Sequence, residues 1–411
     1  MSLDSLTADR FAVAREGGTD RGSEGRGATL VRGEAAFEFV ALDRVPEAAW
    51  ADLVTRAIEP NAFYLPGWAR AVDAHATGKS NGRALLVWET AGKQRLIGMA
   101  PVASAWRTLN LPLPVLVGWE AYAPLTTPLL DRDAVDAAAS GLLAAAAKAG
   151  AHALLFPWLP IEGPTSLALQ RAAAGIGAVP RIMARHERAS LNAAQDPAAL
   201  LRDTLGAKKL KELRRQRNRL ADTGDVVSTV ASEPADVERA LDIFLKLEDA
   251  GWKGARGTAL AQDAGDAVFI RAAMNRLSAA GMAEIVTLSS GAEPVAAGLV
   301  LRQGRRAFYF KIAYDEKVAK LSPGVQLTLD LTQRLCADPS VDDVDSIAVA
   351  RHPMIDHVWR DRLAVADLLV PAQPGALPGQ ILAGAISGRR AARAWARRFV
   401  HLIRTRPRRP S

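Results

Sequence analysis

The chain has 411 residues, 49% hydrophobic and 23% charged, with mean hydropathy near zero, so it can bury two sizeable cores and reads as two domains or one duplicated unit. A single cysteine, Cys336, excludes an intramolecular disulfide and a cysteine-based zinc cluster. The net charge of +8 is confined to one end: residues 371–411 carry nine arginines and no acid, which leaves the remainder at −1 and detaches the high isoelectric point from any site in the body.

Residues 1–34 hold six glycines and no periodic apolar pattern, and are expected to be a disordered lead. A strand is predicted over 36–42, amphipathic helices over 46–58 and 64–76, then strands 83–89 and 95–103 about a turn at Ala91-Gly92-Lys93. The apolar, proline-rich stretch 111–130 suits strands and loops lining a cleft. An alanine-rich helix over 135–150, a buried strand 153–156, a helix 164–176 and a strand 181–191 follow. Between the halves, 205–223 reads as a helix with Leu205, Leu210, Leu213 and Leu220 at helical spacing and Lys208, Lys209, Lys211, Arg214, Arg215, Arg217 and Arg219 over the rest. It is either a solvated helix or an electrostatic wall beside an anion cleft, and it lacks the aromatics that stack on bases.

The second half repeats the order: helices 235–250 and 266–280, strands 283–288, 294–302 and 306–313, then a turn and an apolar helix. The hairpin glycines Gly92 and Gly291 lie 199 residues apart with similar flanks, consistent with duplication. The turn Ser322-Pro323-Gly324 opens a helix through Val325, Leu327, Leu331 and Leu335; its first N–H groups are free for a phosphate or pyrophosphate, although such a turn also serves as a plain helix cap. Cys336, on the apolar side of that helix, is expected to be a buried structural thiol.

A set of motifs in order carries a resemblance. Lys208–Leu220 is followed by Leu247-Glu248-x-x-Gly251-Trp252-Lys253-Gly254, Gly257-Thr258-Ala259, Pro294-Val295-Ala296, Tyr314-Asp315, Ser322-Pro323-Gly324, Asp345-Ser346, His352-Pro353-Met354-Ile355-Asp356-His357 and Trp359. This set, with Asn61-Ala62-Phe63, Pro66 and Trp68 in the first half, resembles the CelD-type acyltransferases, tandem members of the Gcn5-related N-acetyltransferase superfamily related to the FemAB group, over roughly residues 36–370. The resemblance implies an α/β fold (an α+β mixed sheet) of two tandem acyl-CoA N-acyltransferase-like domains. They would be an N-terminal one over 35–200 without cofactor and a C-terminal one over 201–370 with it, flanked by the 1–34 lead and a 371–411 tail. It also implies acetyl-CoA or another acyl-CoA as donor, with Lys317-x-x-Lys320-Leu321-Ser322-Pro323-Gly324-Val325 standing where the superfamily has its pyrophosphate turn; one of that turn's glycines is replaced here. Lys320, Ser322, Gly324 and Val325 are then the cofactor-binding candidates.

Acyl transfer needs a base, a donor to the developing oxyanion and an acid for the leaving thiolate. Tyr314 at a strand end is the candidate acid or else a packing residue. Asp345, at the head of a strand 344–349, is a candidate base or a turn acid, and His352 is a candidate base because imidazole titrates near neutrality. Trp252, Lys253 and Asp356 are candidate acceptor contacts, weighed against an anchor tryptophan and a helix cap. No third ligand joins His352 and His357, so no metal is expected.

The function expected is acyl-CoA-dependent transfer to an amine or hydroxyl of a small molecule, sugar nucleotide or polysaccharide precursor. The alternatives are a FemAB-like transferase using aminoacyl-tRNA and a non-catalytic scaffold in envelope-polysaccharide assembly. With no signal-like start and no spanning run, a soluble cytoplasmic protein is expected. The tail, with Trp395 and Phe399 among arginines, reads either as a disordered end or as a basic amphipathic helix on an anionic membrane.

Overall fold

The computed structural model describes residues 36–89, 95–374 and 379–404; the expected lead over 1–34 and the turn at 91–93 lie outside them. The first half runs β1 (Ala36–Ala41), α1 (Glu47–Arg56), α2 (Pro66–His75), β2 (Arg83–Trp88), β3 (Leu96–Ser104), α3 (Ala105–Leu109), β4 (Val115–Gly118), β5 (Leu129–Leu130), α4 (Val135–Lys148), β6 (Ala153–Pro160), α5 (Pro164–Gly175) and β7 (Arg181–Asn192). The second half begins with α6 (Pro197–Leu220) and continues β8 (Val226–Ala231), α7 (Pro234–Ala250), α8 (Trp252–Ala255), α9 (Ala264–Ala279), β9 (Ala283–Ser290), β10 (Glu293–Gln303) and β11 (Arg306–Tyr314). It ends with α10 (Pro323–Cys336), β12 (Asp343–Asp345), α11 (Ile355–Val358), β13 (Asp361–Pro371) and α12 (Gly379–Arg404).

Local chemistry accounts for the boundaries that differ from expectation. Tyr64 belongs to a short 3-10 turn held by the Asn61 side chain, which accepts from the Phe63 N–H at 3.1 Å; α2 starts only at Pro66, where a missing N–H costs nothing. α6 starts eight residues before Leu205 because the Asp196 carboxylate caps it, accepting from the N–H groups of Ala198 and Ala199. It bends at Gly206, whose φ of 73° lies in the left-handed region. The expected strand over 344–349 stops at Asp345, since Ile347 adopts φ 52° and turns the chain away. The segment after Gly251 is the short helix α8.

Leaving aside α3, β5, α6, α8 and α12, each half runs strand, two helices, three strands, helix, strand, helix, strand. Together they form one mixed sheet in the order β1-β2-β3-β4-β6-β13-β7-β12-β11-β10-β9-β8, with β5 on β3. The last strands are exchanged. β13 of the second half lies between β6 and β7, and β7 of the first lies between β13 and β12, so the change of half near residue 200 does not divide the sheet.

One core cluster likewise spans both halves. Phe63 and Trp68 meet Phe269, Phe308 and Phe310 with ring centroids 4.9–5.7 Å apart, mostly edge to face, in one cluster drawn from both halves. Each such buried aromatic contributes about 1.5–3 kcal/mol. Polar ties cross the same boundary: Gln303 accepts from the Asn61 N–H at 2.8 Å and donates to the Val54 carbonyl at 3.2 Å. Separate cores lie under α4 and α5 and under α10. Cys336 is half-buried on the rim of the latter, and burial pushes its thiol pKa up.

Two strand pairs are parallel, β4 with β6 and β11 with β12, and each pairs over only three residues before the strands part. Beyond β4 and β6 the gap is filled by residues 119–127. There Thr126 lies against Gly118 and donates its hydroxyl to the Pro157 carbonyl, and Trp119, Ala121, Ala123 and Leu125 are buried. Beyond β11 and β12 the gap stays open. At its apex Arg188 of β7, with no exposed surface, donates to the Asp345 carboxylate and, at 2.7 Å, to the Pro124 carbonyl; Asp345 also accepts from the Ile347 N–H at 2.9 Å. Arg188→Met leaves a buried carboxylate without its cation and is expected to lower stability by about 3–5 kcal/mol, whereas adding Asp345→Leu restores much of the loss. Urea denaturation of the two variants and the parent checks this, and an equal loss in both variants counts against it.

Candidate functional site between the splayed strands

The open gap is a cavity of about 810 Å³, walled by β11 on one side and by the coil from Ser346 to Ile355 on the other. A bulge shapes the first wall. Leu299 pairs with Lys311 but its neighbour Val300 pairs with Tyr309, so Phe310 is an extra residue in β11. Strict alternation would place Lys311 with Tyr309, facing α10. The bulge turns Lys311 instead to the side of Phe310, where its ammonium meets Glu248 of α7 at 3.2 Å, and leaves Ile312 and Tyr314 facing α10. The cavity is therefore lined from both sheet faces.

On the α10 side the wall is the start of that helix. Ser322 takes a left-handed conformation (φ 54°), and Pro323 occupies the first helical position. The Gly324 and Val325 N–H groups donate to nothing among the described residues, while the Gln326 N–H already reaches the Ser322 carbonyl at 3.0 Å. A Cβ on Gly324 would lie 3.2 Å from Tyr314 Cδ1 and 3.4 Å from Ile312 Cδ1, so a side chain there would occupy the cavity mouth. The Tyr314 hydroxyl has no partner among the described residues.

On the α7 side stands a buried ionic cluster. Glu248 Oε1 accepts from Lys253 Nζ at 2.9 Å as well as from Lys311, and Oε2 accepts from the Leu260 N–H at 2.9 Å. Burial alone would raise the Glu248 carboxyl pKa, but Lys311 and Lys253 outweigh it and hold it below the usual range; it is an anchored anion, not a base. Burial lowers the Lys311 pKa, with Glu248 opposing. Trp252 is 46% exposed at the rim, with the Arg256 guanidinium 4.9 Å above its ring. Its N–H donates to Glu316 at 2.7 Å, tying α8 to the turn that leads into α10.

His352 lines the cavity, and burial holds its pKa below the ordinary imidazole value. The N–H groups of Met354 and Ile355 approach its Nδ1 at 3.3 and 3.4 Å, so the neutral ring carries its proton on Nε2. In that tautomer it is first a donor.

Seven of the ten residues singled out from the sequence line this one cavity: Tyr314, His352, Ser322, Gly324, Val325, Trp252 and Lys253. Three do not. Asp345 is consumed by Arg188 at the apex. Lys320 is exposed on the 3-10 turn before Ser322, where its carbonyl accepts from Gln216 at 3.3 Å. Asp356 sits on α11, where its N–H donates to the His352 carbonyl at 3.3 Å and its carboxylate reaches the His352 ring only through its charge. Lys311 and the role of Glu248 were missed; the signal was a lone lysine in an otherwise aromatic and aliphatic strand. Among the described residues, no group of His, Cys, Asp and Glu is placed to hold a metal ion.

This geometry agrees with the comparisons. Residues 207–352 match the model of the acetyltransferase (GNAT) domain. The second half has a GNAT-type acetyltransferase fold. Over the whole chain, the structure is similar to the C-terminal domain of a protein described as a lysylphosphatidylglycerol synthetase from Agrobacterium fabrum (TM-score 0.52, 15% identity, 83% of this chain and 95% of that one). It is also similar to FemX (TM-score 0.51, 11% identity, 82% of this chain and 96% of that one). At these identities the likeness concerns the fold. No curated protein matches the chain. In the GNAT-type half the cavity lies where β11 and β12 part, with α10 opening onto it.

The His352 environment has a measurable consequence. A histidine with a depressed folded-state pKa lets the unfolded chain take up its proton first, so stability is kept above the ordinary imidazole value of 6.5 and falls as pH drops through 6.5 toward the folded pKa. The His352 resonance is expected to titrate below 6.5, and His352→Gln is expected to flatten this part of the stability profile. A titration midpoint at or above 6.5 contradicts the assignment.

Proposed function

We propose that the cavity binds an acyl-CoA and transfers its acyl group to an amine or hydroxyl of a small molecule, sugar nucleotide or polysaccharide precursor. The observation that carries this reading is the open wedge of β11 and β12, which ends on two unpartnered N–H groups of α10 and is reached from both sheet faces. The cradle fits a diphosphate: Gly324 leaves room for it, and the helix start supplies donors at the positive end of the dipole. The donor then lies on the α10 side and the acceptor enters on the α7 side, past Trp252. As the acceptor nitrogen or oxygen bonds to the thioester carbon and the carbon–sulfur bond breaks, the Tyr314 hydroxyl gives its proton to the departing sulfur, and the proton that the acceptor loses returns through solvent to restore the tyrosine hydroxyl. The cations Lys311 and Lys253, only partly balanced by Glu248, favour an acceptor with an anionic group near the reacting end, as a sugar nucleotide has. The order of motifs shared with CelD-type acyltransferases supports the saccharide class.

A second reading rests on α6. Lys208, Lys211, Arg214, Arg215 and Arg219 are exposed along it, and Lys209 lines a second groove of about 450 Å³ that shares Val325, Pro353 and Met354 with the main cavity. That basic face would suit the phosphate backbone of an aminoacyl-tRNA donor. Such a contact weakens steeply with salt, so a gel shift with charged tRNA at low and moderate salt separates the two donors.

Acetyl-CoA is expected to bind the full chain in calorimetry. Gly324→Val should weaken binding by roughly tenfold or more by filling the mouth, since a lost pair of charge-assisted hydrogen bonds alone is worth that much. Tyr314→Phe should keep binding and lower acceptor-dependent CoA release. Folded protein that binds no acyl-CoA sinks the reading.

A further inference from the structure

Two thinly supported segments face each other across the mouth of the cavity. On the α7 side a strap runs from Gly251 through α8 to Thr258, and within α8 only Gly254 is buried. On the α10 side the 3-10 turn Glu316–Leu321 has no buried residue and leads directly into Ser322 and Gly324, the proposed diphosphate cradle. Segments with so little burial open locally at small free-energy cost, so the few bonds that hold them decide the shape of the mouth. The strap is closed on itself: the Lys253 carbonyl accepts from the Thr258 N–H at 2.9 Å and from the Thr258 hydroxyl at 3.1 Å. Glycines stand at its ends, Gly251 in extended backbone and Gly257 with φ 69°. Lys253 fastens the strap inward, to Glu248 at 2.9 Å and to the Ile312 carbonyl at 3.4 Å.

Across the mouth the strap is fastened by Glu316. A helix start is ordinarily secured by an oxygen on the residue before it, here Gly251, which has no side chain to offer. The first N–H of α8, on Trp252, is met instead by Glu316 Oε1 at 2.7 Å, from 64 residues later in the chain and from the opposite lip. Glu316 stands on a turn that is itself held: the Asp315 carboxylate accepts from the Lys317 N–H at 2.9 Å, and Gln216 of α6 donates to the Lys320 carbonyl at 3.3 Å. Glu316 does not line the main cavity, so it acts through the backbone it holds. We propose that Glu316 is a positioning residue for the transfer: through the Trp252 N–H it keeps Trp252 and Lys253 in place for the acceptor, and it carries occupancy of the donor cradle across to them. This inference rests on the acyl-CoA reading of the cradle. A diphosphate on the Gly324 and Val325 N–H groups orders the turn that precedes them, and the ordered turn keeps the Glu316 carboxylate at the Trp252 N–H. The coupling is reciprocal, so a fastened strap in turn tightens donor binding.

The test is hydrogen–deuterium exchange of the backbone amides over 249–260 in the full chain, with and without acetyl-CoA, beside calorimetry of acetyl-CoA. Glu316 is exposed, so Glu316→Ala and Glu316→Gln are both expected to keep the parent's thermal midpoint. In the free protein Glu316→Ala should speed exchange of the strap by roughly tenfold, the loss of one hydrogen bond to a charged acceptor, whereas Glu316→Gln, which keeps an accepting oxygen, should restore most of the protection. Acetyl-CoA should slow exchange of the strap in the parent and in Glu316→Gln but not in Glu316→Ala. It should bind Glu316→Ala more weakly by the same factor by which it slows the strap of the parent. A merely structural carboxylate would change the free protein and leave this response to acetyl-CoA intact. Unchanged strap exchange in free Glu316→Ala overturns the proposal. So does bound acetyl-CoA that leaves the parent's strap unaffected or slows the strap of Glu316→Ala equally. A folded parent that binds no acetyl-CoA sinks the acyl-CoA reading and the coupling with it, while the free-protein exchange of the two variants still decides whether Glu316 holds the strap.

Discussion

A guanidinium and a carboxylate, both removed from water, meet where the sheet divides, and the geometry of the cavity follows from that contact. Parallel strands that pair for only three residues have little of their own to fix the angle at which they part. Asp345 ends β12, accepts from the N–H of the left-handed Ile347 and is held by Arg188 of the exchanged strand β7. Because Arg188 also donates to the Pro124 carbonyl, the same side chain fastens the filled wedge of the first half to the apex of the open one. A buried pair of this kind adds little net stability, but breaking it on one side is costly, so its value lies in allowing one arrangement of three segments.

The two halves show what decides whether such a wedge becomes a site. Both have the parallel pair, the divergence and the helix after it. In the first half, Trp119, Ala121, Ala123 and Leu125 are buried in the gap, and Tyr64 and Trp68 bind the carbonyls of Trp119 and Ala121 at 2.9 and 2.7 Å. That filling also serves the other half. Tyr122 donates to Asp266 and stacks on Phe269, with Lys311 about 6.0 Å from its ring, so the closed wedge forms part of the support for the open one.

Much of this was legible in the sequence because periodicity is a local signal. The helices over 135–148, 164–175, 234–250 and 264–279 and the hairpin strands of both halves fall within a few residues of where the apolar spacing puts them. What escaped was non-local. β13 opens with Asp361 and Arg362 and is a strand because β6 and β7 flank it, partners about 170 and 200 residues distant in sequence, a separation at which spacing carries no information. β8, which pairs only with β9 at the sheet edge, has too short and polar a pattern to stand out. In the site, the Ser322-Pro323-Gly324 turn was readable since backbone N–H groups need no particular side chain. The choice between base and turn acid at Asp345 stayed open in the sequence because a carboxylate at a strand end looks the same whether free or paired; the partner that pairs it lies 157 residues earlier. Lys311 was missed because only the bulge at Phe310 turns it toward Glu248.

The charges lining the cavity have one sign of chemistry. Gly324 and Val325 offer N–H groups, Tyr314 an O–H, His352 in its neutral form an Nε2–H, and Lys253 and Lys311 ammonium groups. Glu248, the carboxylate that meets both lysines, has its oxygens occupied by them and by a backbone N–H. A site so arranged stabilises negative charge as it develops and removes protons poorly. In the proposed acyl transfer this would place the effort on the donor side, where a diphosphate would be held and a thiolate would leave, and would demand little activation of the acceptor. Amines already unprotonated near neutrality meet that demand, whereas ordinary hydroxyls do not without a base. The abundance of donors thus narrows the acceptor within the proposed reaction to an amine of low basicity, with an anionic group placed to meet the two lysines.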